Sequence, residues 1–297
     1  MPELPEVETI RRGLEIGLSD SRITTVDIIS PKSALPNAAF LKRELAGRKI
    51  SGFKRRGKLL ILTLSPKKGA DYLLIHLRMT GQLIYSGPDS EVIGGHSIKD
   101  DAQSRFEAVG GNLPNRHTRI IINFKDGGRL FFNDLRKFGY LKLVSESELK
   151  SVLSMGYGPE PLTKEFTLDY LKNIFQHKKT KIKALLLNQK IVAGLGNIYV
   201  DESLWSAKIR PGRLVGKISI AEIKRLYLSI NKIIKRAIEH QGTTFSNYLD
   251  SRGKTGNFSD FLQVYGRKGQ KCRRCGGIIK KEKLAGRGTH YCPDCQK

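Results

Sequence analysis

No run of 18 apolar residues occurs anywhere in the 297-residue chain, so no segment is expected to span a membrane. The opening MPELPEVETI carries acids and prolines where a signal peptide carries a basic and then an apolar stretch, which points to a cytoplasmic protein. Cysteine is absent before Cys272, and a chain of this length buries enough core to fold without cross-links. Acid is the other scarcity. The 28 Asp and Glu stand against 53 Lys and Arg, a formal charge of +25. So large a basic excess favours a polyanionic partner, most often nucleic acid. An anionic membrane surface is the competing partner, but no long amphipathic basic helix supports it. With 39% hydrophobic and 27% charged residues the chain is globular rather than disordered. Its length predicts two domains with room for a small appendage.

The four cysteines that do occur, Cys272, Cys275, Cys292 and Cys295, fall in the spacing C-x2-C-x16-C-x2-C. Sixteen residues leave room for a β-hairpin between two knuckles, which brings four thiolates round one tetrahedral ion. One structural Zn²⁺ is expected, because soft thiolates select it in a reducing compartment. Two disulfides or redox pairs are the competing reading, against which stand the cytosolic setting and the lack of thioredoxin-like context. From Gly266 to Lys297 ten Lys and Arg face two Asp and Glu, so the hairpin reads as a nucleic-acid-binding finger.

Leu4, Val7, Ile10, Leu14 and Leu18 recur at helical steps near the N-terminus. Short β runs follow between about 22 and 145: ITTVDII, KLLILTL, YLLIHL, RIIINF, RLFF and YLKLV. FKDGGRLFF has a hairpin turn between apolar strands, and the whole pattern suggests a β-sandwich or barrel. Residues 86–115 are polar and glycine-rich, the pattern of a long exposed loop. After Gly158-Pro159-Glu160-Pro161 the texture turns helical, near 164–177, 179–188, 197–208 and 219–241. Between Tyr170 and Val200 there are six lysines and no acid, unlike a solvated face of mixed sign, so a phosphate-binding surface is expected.

Several motifs, in order along the chain, carry a resemblance. They are P-E-L-P-E-V-E-T at the start, R-R-G-K at 55–58, H-L-R-M-T-G at 76–81, D-L-R-K-F-G at 134–139, G-P-E-P at 158–161, G-L-G-N-I-Y at 194–199 and A-G-R-G-T-H-Y-C-P-x-C at 285–295. The chain resembles the formamidopyrimidine-DNA glycosylase/endonuclease VIII family over essentially its whole length. Leu4 stands where the pyrimidine-directed endonuclease VIII group usually has glycine, so the resemblance favours the oxidised-purine branch, which acts on 8-oxoguanine and formamidopyrimidines. It implies an α+β chain: an N-terminal helix and β-sandwich catalytic domain over 1–145, a helix–two-turn–helix domain over 146–265 and a zinc finger over 266–297. The implied partner is double-stranded DNA containing oxidised bases or abasic sites, with no membrane, and the protein is expected to act as a monomer.

The resemblance also assigns roles. Pro2 becomes a secondary-amine nucleophile once Met1 is removed. An α-amino group titrates at about 7.7–8 in model peptides, so a useful fraction is neutral at physiological pH. Attack at C1′ displaces the base and leaves an iminium, which makes β- and δ-elimination feasible. Glu3 is assigned proton donation and Glu6 a supporting role. Lys58 is assigned a phosphate contact and proton donation in β-elimination. Arg287 is assigned the δ-elimination proton, although a guanidinium is a poor acid and a phosphate clamp suits it better. Met79, Arg136 and Phe138 match residues that enter the duplex when a nucleotide is extruded. His117, Lys179, Lys183 and Asn197 match phosphate contacts; the two lysines, four apart, are expected to share a helix face. G-L-G-N-I-Y opens a helix whose N-terminus can bind phosphate. Residues 250–262 match the region that closes over the extruded base. A non-catalytic zinc-finger DNA-binding protein fits the composition equally well; the N-terminal P-E-L-P-E separates the two, since a binder has no need of a proline amine.

Overall fold

A computed structural model describes residues 1–66, 71–88, 91–95, 112–176, 178–243 and 258–297, with the backbone alone for 91–95. Most of the 86–115 stretch, and residues 250–257 of the segment expected to close over the base, lie outside the described residues. The chain forms two compact units, Met1–Ser154 with His240–Asn257, and Met155–Glu239 with Phe258–Lys297.

The first unit begins with helix α1 (Leu4–Leu18), strands β1 (Ile23–Ile28) and β2 (Ala34–Leu35), and helix α2 (Ala38–Leu45). Strands β3 (Ile50–Arg56), β4 (Leu59–Leu64), β5 (Tyr72–His76), β6 (Gly81–Ser86), β7 (Glu91–Gly95), β8 (Thr118–Phe124), β9 (Arg129–Asp134) and β10 (Tyr140–Val144) follow. They form two five-stranded sheets, ordered β1-β8-β9-β6-β7 and β2-β10-β5-β4-β3. Pairing is antiparallel except between β2 and β10. The expected sandwich is therefore present. The stretch 86–115 is not loop throughout, since β7 pairs with β6 from Gln82↔Gly95 to Ser86↔Glu91.

Alternation explains the two layers. Leu83 and Tyr85 of β6, Ile120 and Ile122 of β8, and Leu130 and Phe132 of β9 point into the shared core. Ile84, Ile121 and Phe131, one residue out of step, form a separate cluster. That is the period-two pattern of a pleated strand. The core also takes in Leu60, Leu62, Leu73, Ile75, Leu141 and Leu143 from the other sheet. The two helices cover the open sides. α1 lies against the edge strands β3 and β7, and α2 against β1 and β2, so among the described residues each edge strand has a helix beside it. α1 sinks Val7, Ile10, Leu14 and Leu18 into the core. On its outer side Glu8 accepts from Arg55 of β3 at 3.1 Å and from Arg11 and Arg12. Burial works against ionisation of Glu8, but the arginines outweigh it and hold the carboxyl down at about 2.

Helix α3 (Glu146–Gly156) leads out of the sandwich. The second unit contains α4 (Leu168–Gln176), α5 (Ile182–Leu187), α6 (Asn197–Ser206) and α7 (Ile220–Glu239), then the hairpin β11 (Lys280–Leu284) and β12 (Arg287–Tyr291). α7 buries Ile223, Leu226, Ile230, Ile234 and Ala237, a stripe at three- and four-residue steps, against α4 and α6. Ala285 and Gly286, both at positive φ (49° and 71°), make the two-residue hairpin turn that matches the twist of the strands.

Because α1 closes one side of the sandwich through fully buried side chains, Leu14→Ala should destabilise the first unit by about 2–5 kcal/mol. Urea unfolding measures this. A change below about 1 kcal/mol would mean that α1 does not depend on this contact.

Candidate active site, nucleic-acid contacts and zinc centre

In the first unit, Pro2 and Glu3 are buried where the chain enters α1. The Glu3 N–H donates to Glu6 Oε2 at 2.9 Å. Glu6 Oε1 accepts from the Thr243 N–H at 2.8 Å and from its hydroxyl at 3.1 Å. Glu6 thus joins the start of the chain to residue 243. Lys58 is also buried, at the turn from β3 into β4. Its neighbour Leu59 pairs with His76 at the end of β5, and Tyr140 pairs with His76 from the other side. His76 Nδ1 accepts from the Arg78 N–H at 3.0 Å, which leaves the ring N–H on Nε2. Burial, then the charges of Arg78 and Lys58, push its pKa down to about 3, so the ring is neutral at physiological pH.

The turn after β9 is organised by Asp134. This buried carboxylate accepts from the Thr80 hydroxyl, from the Arg136 N–H at 3.2 Å and from the Gly139 N–H at 2.7 Å. With its backbone held from beneath, the turn lifts Arg136 and Phe138 into solvent. Arg136 Nη1 lies 3.1 Å from Met79 Sδ, and its guanidinium stacks 4.7 Å from the Phe138 ring. The three residues expected to enter the duplex are therefore brought together. Gly81 makes the Met79 turn possible, since a Cβ there would lie 2.4 Å from the Leu77 carbonyl oxygen. His117 stands just before β8, and its carbonyl accepts from the Asp134 N–H at 2.9 Å, so it borders the same turn. Burial and the charges of Arg116 and Arg119 lower its pKa.

In the second unit, two expectations need correction. Lys179 and Lys183 do not share a helix face: Lys179 is exposed in the connection before α5, which starts at Ile182. Lys183 is wholly buried and no surface phosphate contact. Its Nζ lies 2.6 Å from Asp201 Oδ1 and donates to the Gly288 carbonyl at 3.2 Å. A lysine deprived of water needs this partner, and the tight pair satisfies it. Asn197 opens α6 as expected, and its Nδ2 donates to the same Gly288 carbonyl at 2.9 Å. Gly288 is thus occupied internally, while Arg287 beside it is exposed at the hairpin turn. Asp201 Oδ2 accepts from the His290 N–H at 2.8 Å. The adjacent Glu202, also buried, accepts from the N–H groups of Gln263, Val264 and Tyr265, each at 2.9 Å. Burial raises the Glu202 pKa, partly offset by those donors. Two neighbouring acids on α6 therefore hold the segment before the finger and its second strand. The sequence shows both directly after the acid-free stretch, but no spacing in it signals their role or those of His76 and Thr243.

The four cysteine sulfurs lie within 4.8 Å of one another. Zn–S bonds of about 2.3 Å in a tetrahedron need sulfurs about 3.8 Å apart. Cys272 and Cys295 are 3.9 Å apart, and Cys275 and Cys292 3.4 Å, so the four residues fit zinc. Trp205 Nε1 donates to Cys272 Sγ at 3.4 Å and Arg274 to Cys295 Sγ at 3.7 Å, bonds that favour thiolate ligands.

A helix-led β-sandwich, a helix N-terminus set against an arginine hairpin and a four-cysteine finger are the parts expected of a zinc-finger DNA glycosylase. Three matches agree: the formamidopyrimidine-DNA glycosylase N-terminal domain over residues 1–141, its H2TH domain over 157–248, and the zinc finger found in FPG and IleRS over 269–297. The chain is 41% identical over 299 residues to the formamidopyrimidine-DNA glycosylase of Pelotomaculum thermopropionicum, covering 100% of this chain and 99% of that one. It superposes with a TM-score of 0.83 on a variant of Lactococcus lactis FPG in complex with Fapy-dG-containing DNA, at 37% identity and full coverage of both chains. Lactococcus lactis Fpg with abasic-site DNA gives 0.82 at 38% identity, covering 99% of each. The chain belongs to the formamidopyrimidine-DNA glycosylase family.

Two outcomes test the second unit. Asp201→Asn strands the buried Lys183 charge and should cost about 3–5 kcal/mol, visible as a lowered thermal midpoint; a change under about 1 kcal/mol would show that the pair is dispensable. Zinc removal, or Cys275→Ser, should disorder the finger and weaken DNA binding while the sandwich stays folded. Undiminished binding by demonstrably metal-free protein would reject that link.

Proposed function

We propose that the protein is a bifunctional DNA glycosylase and AP lyase that excises oxidised purines, 8-oxoguanine and formamidopyrimidines, from duplex DNA and then cleaves the strand. The observation that carries this reading is the buried chain start, with Pro2 and Glu3 tied to Glu6 by the Glu3 N–H. A protein that only binds DNA has no use for a proline held in this way. The Fapy-dG and abasic-site complexes of the Lactococcus relative support the substrate class.

Once Met1 is removed, Pro2 presents a secondary amine. Its lone pair adds to C1′ as the bond to the base breaks, and Glu3 supplies a proton to the departing base or to the opening sugar oxygen. Loss of the amine proton and ring opening give an iminium, whose electron demand acidifies the C2′ proton. Elimination then expels the 3′ phosphate, and a second elimination expels the 5′ phosphate. Lys58 and Arg287 contact the flanking phosphates, and Lys58 donates a proton in the first elimination. The Nε2–H of neutral His76, near Lys58, is a further donor suited to a phosphate. Met79, Arg136 and Phe138 fill the space left by the extruded nucleotide. His117, Lys179 and the N-terminus of α6 at Asn197 bind the backbone. Lys183 supports the hairpin from within. Zinc holds the finger and takes no part in the chemistry.

Borohydride added during reaction with 8-oxoguanine DNA should trap a covalent adduct that maps to Pro2. Glu3→Gln should lose base excision by about 10²–10⁴-fold with DNA affinity retained. An adduct on a lysine would refute the assignment of the nucleophile.

A further inference from the structure

Thr243 belongs to none of the sequence motifs, and the reaction above does not use it. Yet its N–H and its hydroxyl both donate to Glu6 Oε1, at 2.8 and 3.1 Å. The other oxygen of that carboxylate takes the Glu3 N–H at 2.9 Å. Glu6 is thereby a bridge, one oxygen on residue 243 and the other on the peptide that follows Pro2. The approach is close by construction. Gly242 adopts φ +78°, and a Cβ there would lie 2.6 Å from Glu6 Oε1, so only glycine lets the backbone reach the carboxylate.

This matters because a carboxylate on a rotatable stem can meet a single N–H from many directions. Anchoring its second oxygen with two donors leaves one direction for the first. Glu3 and Glu6 also form a capping box, in which the Glu6 N–H holds the Glu3 side chain, so what the Thr243 bonds add is the rotation of the Pro2–Glu3 peptide and the aim of the amine lone pair. Misplacing an attacking group by about 1 Å can cost 10²-fold in rate.

We propose that Thr243 is a positioning residue for the covalent step: through Glu6 it sets the rotation of the Pro2–Glu3 peptide and so aims the attacking amine. The assignment rests on the reading of Pro2 as nucleophile.

Single-turnover borohydride trapping on 8-oxoguanine duplex at saturating protein, paired with the affinity for a duplex carrying an uncleavable abasic analogue, separates aim from binding. Thr243→Val should slow adduct formation about tenfold, the scale of one hydrogen bond to a charged group, with affinity changed less than about twofold. Thr243→Ser, which restores the hydroxyl, should restore the rate. Gly242→Ala, which pushes on the same oxygen, should also slow trapping without loss of affinity, and it serves as the test if the valine variant does not fold. In a Glu6→Gln background the valine substitution should cost much less than it does alone, because both act through one bridge. An unchanged rate in Thr243→Val, a parallel loss of rate and affinity, or full additivity with Glu6→Gln overturns the proposal. A wild-type adduct at a residue other than Pro2 overturns the nucleophile as well; a Pro2 adduct with normal kinetics in Thr243→Val overturns this inference alone.

Discussion

Glu6, Asp134, Asp201 and Glu202 are buried carboxylates, and each accepts from backbone N–H groups outside its own stretch of regular structure. A charge withdrawn from water is tolerable only when donors replace the water. That requirement gives these four side chains control over the segments around them. A turn whose N–H groups are committed to a buried oxygen cannot rearrange without stranding the charge. In this way Asp134 fixes the turn that exposes Arg136 and Phe138, Glu6 fixes the start of the chain, and the two α6 acids fix the finger. Acids are few in a chain of net charge +25, and these four are placed where the exposed cationic and aromatic side chains need a rigid base.

The aliphatic runs of β4, β5, β8, β9 and β10 and the three-four stripe of α1 were legible because burial on one or two faces writes a period into the sequence. β3 was not: its ISGFKRR has only Ile50 and Phe53 buried and spends its exposed positions on serine and lysine. β7, EVIGG, hides in a glycine-rich stretch and is identified by pairing with β6 rather than by its own composition. α2, eight residues long, buries only Leu41 and Leu45, too few to show a stripe. Lys183 escapes the spacing argument for a related reason. Spacing says which residues can share a face of a helix, but the partner that draws a lysine inside, Asp201, lies 18 residues further on. Thr243 and Glu6 are separated by 237 residues, and no local pattern signals a contact of that kind. The cysteine spacing was readable because a metal ion imposes its own geometry on the chain.

The finger is held in two ways. Its knuckles close on the metal site, and its second strand is bonded to α6, where Asp201 meets His290 and Asn197 meets Gly288, and to α5, where Lys183 meets Gly288. Trp205, also from α6, packs against the cysteine cluster. The hairpin therefore shares a small core with the helix, and its metal is a constraint on that shared core as well as on the tail.

The bond from Asn197 to the Gly288 carbonyl places the first residue of α6 beside the residue that follows Arg287. Two sources of positive potential, a helix N-terminus and a guanidinium, are thus combined at one point instead of being spread along a groove. Contacts to phosphate position a nucleic acid but report nothing of its bases. Positive potential that comes from a helix end and a guanidinium carries no preference for one base over another, so this corner of the protein suits a family whose task is set by damage and not by sequence.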